Sequence, residues 1–359
     1  MAYTFFPESA TDIKTTLKNA DSKKVKEIID LYSYLKKDYP KIQKLINIDP
    51  QKITPVNVTR QLQGQTEIAK IMRDSKIKNI KIKFGDGSSG GRGVGNKGTA
   101  YEGILAEGLE KWWAGEKVEP SLLETIEKIS DLHKLEKCPT LVVKSVGELN
   151  NKRPFTFTGN DVTIGSKIPV TNNNLGKVVS DITLECGQRE IYLSLKTGGT
   201  VTFFNSGIKT VLSPAEIKTG KITNEDGLKI LKMFNINNAL FCDIFNGKLK
   251  QGYSEDVWKT MKANQKTMLK NFLESGIGHG YTIVHKLSNE TKVYKVTEKY
   301  MQEAATPMSC VVYYGGKGGS GKRIDMEIKT GHYMLKLNMR DTQGGDGYPT
   351  RMMCDYSYL

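Results

Sequence analysis

The sequence predicts an α/β chain of the α+β kind, and three observations predict it. Apolar residues recur at helical spacing among lysines through the front of the chain. Ser180–Lys196 (SDITLECGQREIYLSLK) alternates with period two on either side of Gly187-Gln188. Runs rich in β-branched and aromatic residues return between 281 and 339. With 359 residues the chain can build a sizeable core. Three parts are expected: a basic helical N-terminal region (1–75), a central core (76–250), and a C-terminal helix and β-rich region (251–359) packing on that core.

Taken in order, Ile13, Leu17, Val25, Ile28, Ile29, Tyr32 and Leu35 predict helix from about Thr11 to Tyr39, and Leu62, Ile68, Ile71 and Met72 a second from Asn57 to Arg73. Ile77–Phe84 (IKNIKIKF) reads as a strand with one lysine face. Gly85–Gly98 is half glycine, and it can bring backbone N–H groups, Arg92 and Lys97 close to a phosphate. Thr99 followed by Glu102 fits a capping box. The stripe Tyr101, Ile104, Leu105, Leu109, Trp112 then places Glu102 in the first turn of a helix. A helix follows Pro120, a strand covers Thr140–Val146, and the polar stretch Asn150–Gly176 reads as loop or hairpin. Thr200–Phe204 is expected as a third antiparallel strand beside the Ser180–Lys196 hairpin. Helices over Asp226–Phe234 and Glu255–Leu273 flank the short apolar segment Ala239–Phe245. Strands are expected over Tyr281–Val284, Val293–Val296, Cys310–Tyr314, Arg323–Lys329 and Tyr333–Met339.

Fifty-three Lys and Arg stand against 39 Asp and Glu, a net charge of +14 that points to a polyanionic partner. The five cysteines are far apart with no Cys-x-x-Cys pair, which suggests a reducing compartment. The scattered histidines give no zinc pattern. No apolar run reaches the roughly 18 residues of a membrane span. A soluble protein without a membrane partner is therefore expected.

The hairpin carries the chemistry. A two-residue loop at Gly187-Gln188 puts Cys186 opposite Arg189, Thr183 opposite Tyr192 and Asp181 opposite Ser194. Ile182, Leu184, Cys186, Ile191, Leu193 and Leu195 then share an apolar face. Asp181, Ser194 and Lys196 share the other, gathering a carboxylate, a hydroxyl and an amine. This face resembles the active-site hairpin of the PD-(D/E)xK nuclease superfamily, in which an Asp-bearing strand precedes a strand ending in acid-x-Lys. Glu102, in a glycine and aromatic-Glu context opening a helix, resembles the family's further acid. The resemblance implies a restriction-endonuclease-like core, a mixed central sheet flanked by helices. It further implies a phage or bacterial metal-dependent DNA endonuclease, with Glu102 and Asp181 holding Mg²⁺ or Mn²⁺ and Lys196 attending the water or scissile phosphate. Such a protein would act in the cytoplasm, or be carried in a virion, and a homodimer is compatible with it. Ser194 departs from the pattern by standing where the acid of acid-x-Lys belongs. If no neighbouring acid completes the site, the alternative is a non-catalytic nucleic-acid-binding or virion structural protein on the same fold.

Two further segments match motifs in spacing alone. Gly316–Lys322 has phosphate-loop spacing, but Arg323 stands where Ser or Thr belongs and a strand follows it. It reads instead as a basic hairpin loop, with Lys317, Lys322 and Arg323 placed to touch a phosphate backbone. Glu327-x-Lys329 matches acid-x-Lys but is explained by charge alternation on a solvated strand. Near the C-terminus, Arg340 and Arg351 are further candidates for nucleic-acid contact.

Overall fold

The computed structural model describes residues 3–4, 80–81, 97–145, 153–199, 201–249, 251–317, 321–342 and 347–359, the side chains of 3–4, 80–81, 97–100 and 145 excepted. The chain divides into two units, residues 1–100 and 101–359. In the first, β1 (Tyr3–Thr4) pairs in parallel with β2 (Ile80–Lys81). The helices expected over 11–39 and 57–73, and most of 77–96 with Arg92, lie outside the described residues.

Helix α1 (Lys97–Trp113) leads into the second unit. It begins before Thr99, so Thr99 is helical rather than the cap, and Glu102 sits in the second turn rather than the first. Tyr101, Leu105 and Leu109 are buried, while Ile104 is exposed. Helix α2 (Pro120–His133) is delimited by its own sequence. Pro120 stands at its start, the Glu119 carboxylate accepts from the N–H groups of Ser121 and Leu122, and Lys134 closes it in the left-handed region.

After β3 (Leu141–Ser145), β4 (Phe155–Thr158) and β5 (Asp161–Ile164) form a hairpin, and a single turn, α3 (Gly176–Val179), precedes β6 (Ile182–Cys186) and β7 (Arg189–Thr197). Gly187 has φ 60° while Gln188 stays outside the left-handed region, the II′ geometry that suits a two-residue hairpin loop. The register is the expected one: Ile182 opposes Leu193, Thr183 opposes Tyr192 and Cys186 opposes Arg189.

The chain then leaves this sheet. β8 (Val201–Gly207) does not pair with β7, as alternation alone suggested, but joins the edge of a second sheet beside the C-terminal strand. Gly198, at φ 92°, makes the departure; its N–H donates to Lys286 O. Three helices follow: α4 (Pro214–Thr219), α5 (Glu225–Met233) and α6 (Asn238–Phe245). The helix expected over Glu255–Leu273 divides into a short strand, β9 (Tyr253–Asp256), and α7 (Ala263–Ile277). β9 forms because β12 offers it a free edge, with Glu255 opposite Val312. The remaining elements are β10 (Tyr281–Lys286), β11 (Thr291–Val296), α8 (Glu298–Ala304), β12 (Ser309–Tyr314), β13 (Arg323–Lys329), β14 (Tyr333–Arg340) and β15 (Arg351–Tyr358).

The fold is thus α+β with two open sheets. One is mixed, in the order β11-β10-β7-β6-β3; β10 runs parallel to β7 and the other neighbours are antiparallel. The other is antiparallel, in the order β8-β15-β14-β13-β12-β9. The apolar face of the hairpin packs under α1 and α2, where Leu105, Leu109, Ile126, Ile129, Ile182, Leu184 and Leu193 are all fully buried. Fully burying one such side chain contributes about 1.5–3 kcal/mol. The opposite face of the mixed sheet, with Tyr281, Ile283 and Val296, belongs to the larger core shared with α7 and the second sheet. Both faces of the hairpin are therefore covered. Among the described residues no helix is long and apolar enough to cross a membrane.

Cys138 and Cys186 form a disulfide, their Cα atoms 5.1 Å apart, a pairing that the wide spacing of the cysteines did not suggest; Cys242, Cys310 and Cys354 are free and buried.

Candidate functional site

At the open end of the β6–β7 hairpin, Asp181 lies just ahead of β6. Its N–H donates to Leu193 O at 2.8 Å, and its Oδ2 accepts from the Leu195 N–H at 2.6 Å. The carboxylate thus satisfies a backbone donor of β7 where the two strands part. Burial pushes the Asp181 carboxyl up, against the opposing pull of Lys196, the Leu195 N–H and the Ser194 hydroxyl. Ser194 is 1% exposed. Lys196 retains some accessible surface but is enclosed deeply enough for burial to pull its ammonium down. Asp181 acts in the opposite sense, and Arg153 adds to the lowering. A carboxylate, a hydroxyl and an amine therefore meet as the alternation predicts, although between layers rather than on a wet surface.

Arg153 was not legible as part of this group. It precedes β4 in a polar stretch and donates from Nη1 to Gly276 O at 2.7 Å and from Nη2 to Ser275 O at 2.5 Å. These carbonyls end α7, where a cation is favoured by the helix dipole. Its Nε is buried without a hydrogen-bond partner among the described residues, and burial lowers its pKa to about 10. Only the folded chain brings this cation near Lys196.

His285 is the register partner of Lys196 on β10. Its Nε2 lies 2.6 Å from Gly198 O, and because a carbonyl can only accept, Nε2 carries the proton. Nδ1, 3.0 Å from Tyr358 Oη, then accepts from that hydroxyl. The hydroxyls continue from Tyr358 to Tyr294 (3.0 Å), Tyr333 (2.8 Å) and Tyr300 (2.7 Å), joining the mixed sheet, the second sheet and α8.

Glu102 is half-buried on α1. Its neighbour Tyr101 has the Lys286 ammonium 5.1 Å from its ring centroid, and Lys286 pairs with Thr197 at the end of β7. Thr197 and Lys286 share the α1 side of the sheet with Leu195 and Val284, so Glu102 rides over the face opposite to the one that carries Asp181, Ser194 and Lys196. Glu190, the other acid near the hairpin, is exposed and accepts from the Tyr192 hydroxyl. Among the described residues no group of three His, Cys, Asp or Glu side chains is placed to hold a metal ion. Any ion here would have two protein carboxylates at most. That all-oxygen set suits Mg²⁺, which keeps several waters and takes phosphate oxygens.

The proposed nucleic-acid contacts separate into groups. Lys97 is the first residue of α1, its side chain outside the described part. Lys317 pairs with Glu327 at 2.9 Å. Lys322 lies over the Tyr348 ring, its Nζ 5.5 Å from the centroid. Arg323, Arg340 and Arg351 fall side by side on β13, β14 and β15. The strand that follows the glycine-rich loop at 316–322 agrees with a hairpin rather than a nucleotide-binding loop.

No family model, no curated protein and no solved structure matches this chain.

Proposed function

We propose that the chain is a metal-dependent endonuclease acting on DNA, with the β6–β7 hairpin as its active centre. The observation that carries this reading is the Asp181 carboxylate, held by the Leu195 N–H at the parting of two strands with Lys196 next along. A mixed sheet with this hairpin among its inner strands and helices α1 and α2 on one face supports a restriction-endonuclease-like core.

Asp181 would hold the divalent cation; Glu102, the other acid expected to do so, rides on α1 over the opposite face of the hairpin. When bound, the cation would polarise a phosphoryl oxygen and lower the pKa of water. The backbone N–H of Leu195 fixes Oδ2 of Asp181. Ser194 donates to Asp181 and thus orients it, in the position where an acid would be a ligand itself. Lys196, its ammonium depressed by burial and by Arg153, sits where it can hold a proton donor or acceptor near the phosphate. A non-catalytic binding scaffold is favoured by one observation: among the described residues no group of three His, Cys, Asp or Glu side chains is placed to hold a metal ion.

The test is incubation of supercoiled plasmid with the wild-type chain and Mg²⁺, beside Asp181→Ala and Lys196→Ala variants whose folding is checked by circular dichroism. Nicking by the wild type and loss of roughly a hundredfold or more in both variants is expected, the range for removing a charge-stabilising group. Equal cleavage by all three excludes the site. Retention of plasmid with no cleavage selects the scaffold reading.

A further inference from the structure

Three arginines meet across adjacent strands at one end of the second sheet. Arg340 on β14 is the register partner of Arg323 on β13 and of Arg351 on β15. Opposed residues share a face, and this is the face away from the fully buried Ile324, Met339 and Met352. At a strand spacing of roughly 4.8 Å the row spans about 10 Å. Like charges directly opposite are destabilising, so a chain that keeps three in a row needs an offset. Asp325 supplies one, accepting from Arg323 Nε at 3.0 Å and Nη2 at 2.5 Å. Among the described residues no ion pair holds Arg340 or Arg351 as Asp325 holds Arg323, and the buried Arg340 Nε has no hydrogen-bond partner there. At Tyr348, three residues before Arg351, the ammonium groups of Lys218 on α4 and of Lys322 lie 5.4 and 5.5 Å from the ring centroid.

We propose that this arginine row is a docking surface for the phosphodiester backbone of duplex DNA. The proposal takes DNA as partner from the nuclease reading, while the binding itself needs neither metal nor cleavage. Guanidinium forks match phosphate oxygens in pairs, and arginine is the side chain best suited to hold them at a partly dehydrated surface. A duplex carries about one negative charge per 1.7 Å of its axis, so a row of about 10 Å faces several phosphates. The chain's charge of +14 favours a polyanion over a single small anion.

The experiment is fluorescence anisotropy of a labelled duplex with the full chain in EDTA, over a series of salt concentrations. The chains compared are the wild type, Arg340→Gln/Arg351→Gln, Arg351→Gln alone, and Lys299→Gln/Lys329→Gln, which removes the same charge elsewhere. The double arginine variant is expected to bind roughly tenfold or more weakly. Its slope of log affinity against log salt should be shallower by about two, and that of Arg351→Gln by about one. The lysine variant should stay within about twofold of the wild type. Equal loss in the lysine variant, or wild-type binding by both arginine variants, overturns the proposal. Equally effective capture of polyglutamate, with the same arginine dependence, overturns the choice of phosphate over an acidic peptide. Because EDTA removes the metal, failure of plasmid cleavage leaves this measurement intact.

Discussion

At the scale of single residues, the groups that matter most are polar side chains held between layers. His133, at the end of α2, is buried, with Nε2 2.8 Å from the Thr282 hydroxyl of β10 and its carbonyl bonded by Arg189 Nη2 at 2.7 Å. Burial first, then the charges of Lys295 and Arg189, pull its pKa down to about 4. The unfolded chain therefore takes up a proton near pH 6.5 that the folded chain refuses until about pH 4. Stability contributed by neutral His133 is complete above the unfolded value and is lost as pH falls through that window, by about 3 kcal/mol in all. Urea unfolding at pH 7 and pH 4.5 should show this loss in the wild type and a smaller one in His133→Asn. The same pH dependence in both would remove His133 from the account. No pattern in LHKLEK announces this behaviour, since a histidine at a helix end reads as solvent-facing until β10 covers it.

Among elements, those with local punctuation were the ones legible beforehand. The hairpin register followed from Gly187-Gln188 and the period-two alternation, and α2 from Pro120. β9 was misread because Trp258, Met261, Met268, Leu269 and Phe272 keep helical spacing through a segment whose first residues find an edge strand to join. The Cys138–Cys186 bond is likewise a consequence of packing: it ties the turn after α2 to the last residue of β6, across 48 positions of sequence. In the chain-entropy account a loop of that size is worth about 4 kcal/mol. Thiol titration in denaturant without reductant should find three free cysteines, rising to five after reduction. The reduced chain and Cys138→Ser should unfold at lower denaturant than the oxidised wild type. Five reactive thiols without reductant would show that the bond does not form, as expected of a chain kept in a reducing compartment.

Across the whole molecule, what the sequence could not carry is which strands become neighbours. TVTFF reads the same whether β8 continues the hairpin sheet or crosses to the other, and β10 docks in parallel beside β7 only after a long excursion through α4–α7. The candidate site was legible as a face of one hairpin, but its roof was not, because Arg153, His285 and the tyrosines come from distant segments. Those tyrosines offer a reading of how firmly the sheets are joined. Tyr294 on β11, Tyr333 on β14, and Tyr356 and Tyr358 on β15 pack together, with burial the first cause raising each hydroxyl's pKa. In the unfolded chain each loses its proton near pH 10; in the folded chain each keeps it. The folded state therefore binds more protons above that pH, and stability falls as pH rises. Alkaline titration followed by tyrosinate absorbance and circular dichroism should show these hydroxyls ionising together with loss of structure, in one cooperative step. Tyr294→Phe, which removes the hydroxyl linking Tyr333 to Tyr358, should lower stability at pH 7 by about 1–3 kcal/mol. Gradual ionisation near pH 10 with the fold intact would mean that the two sheets part readily at this seam.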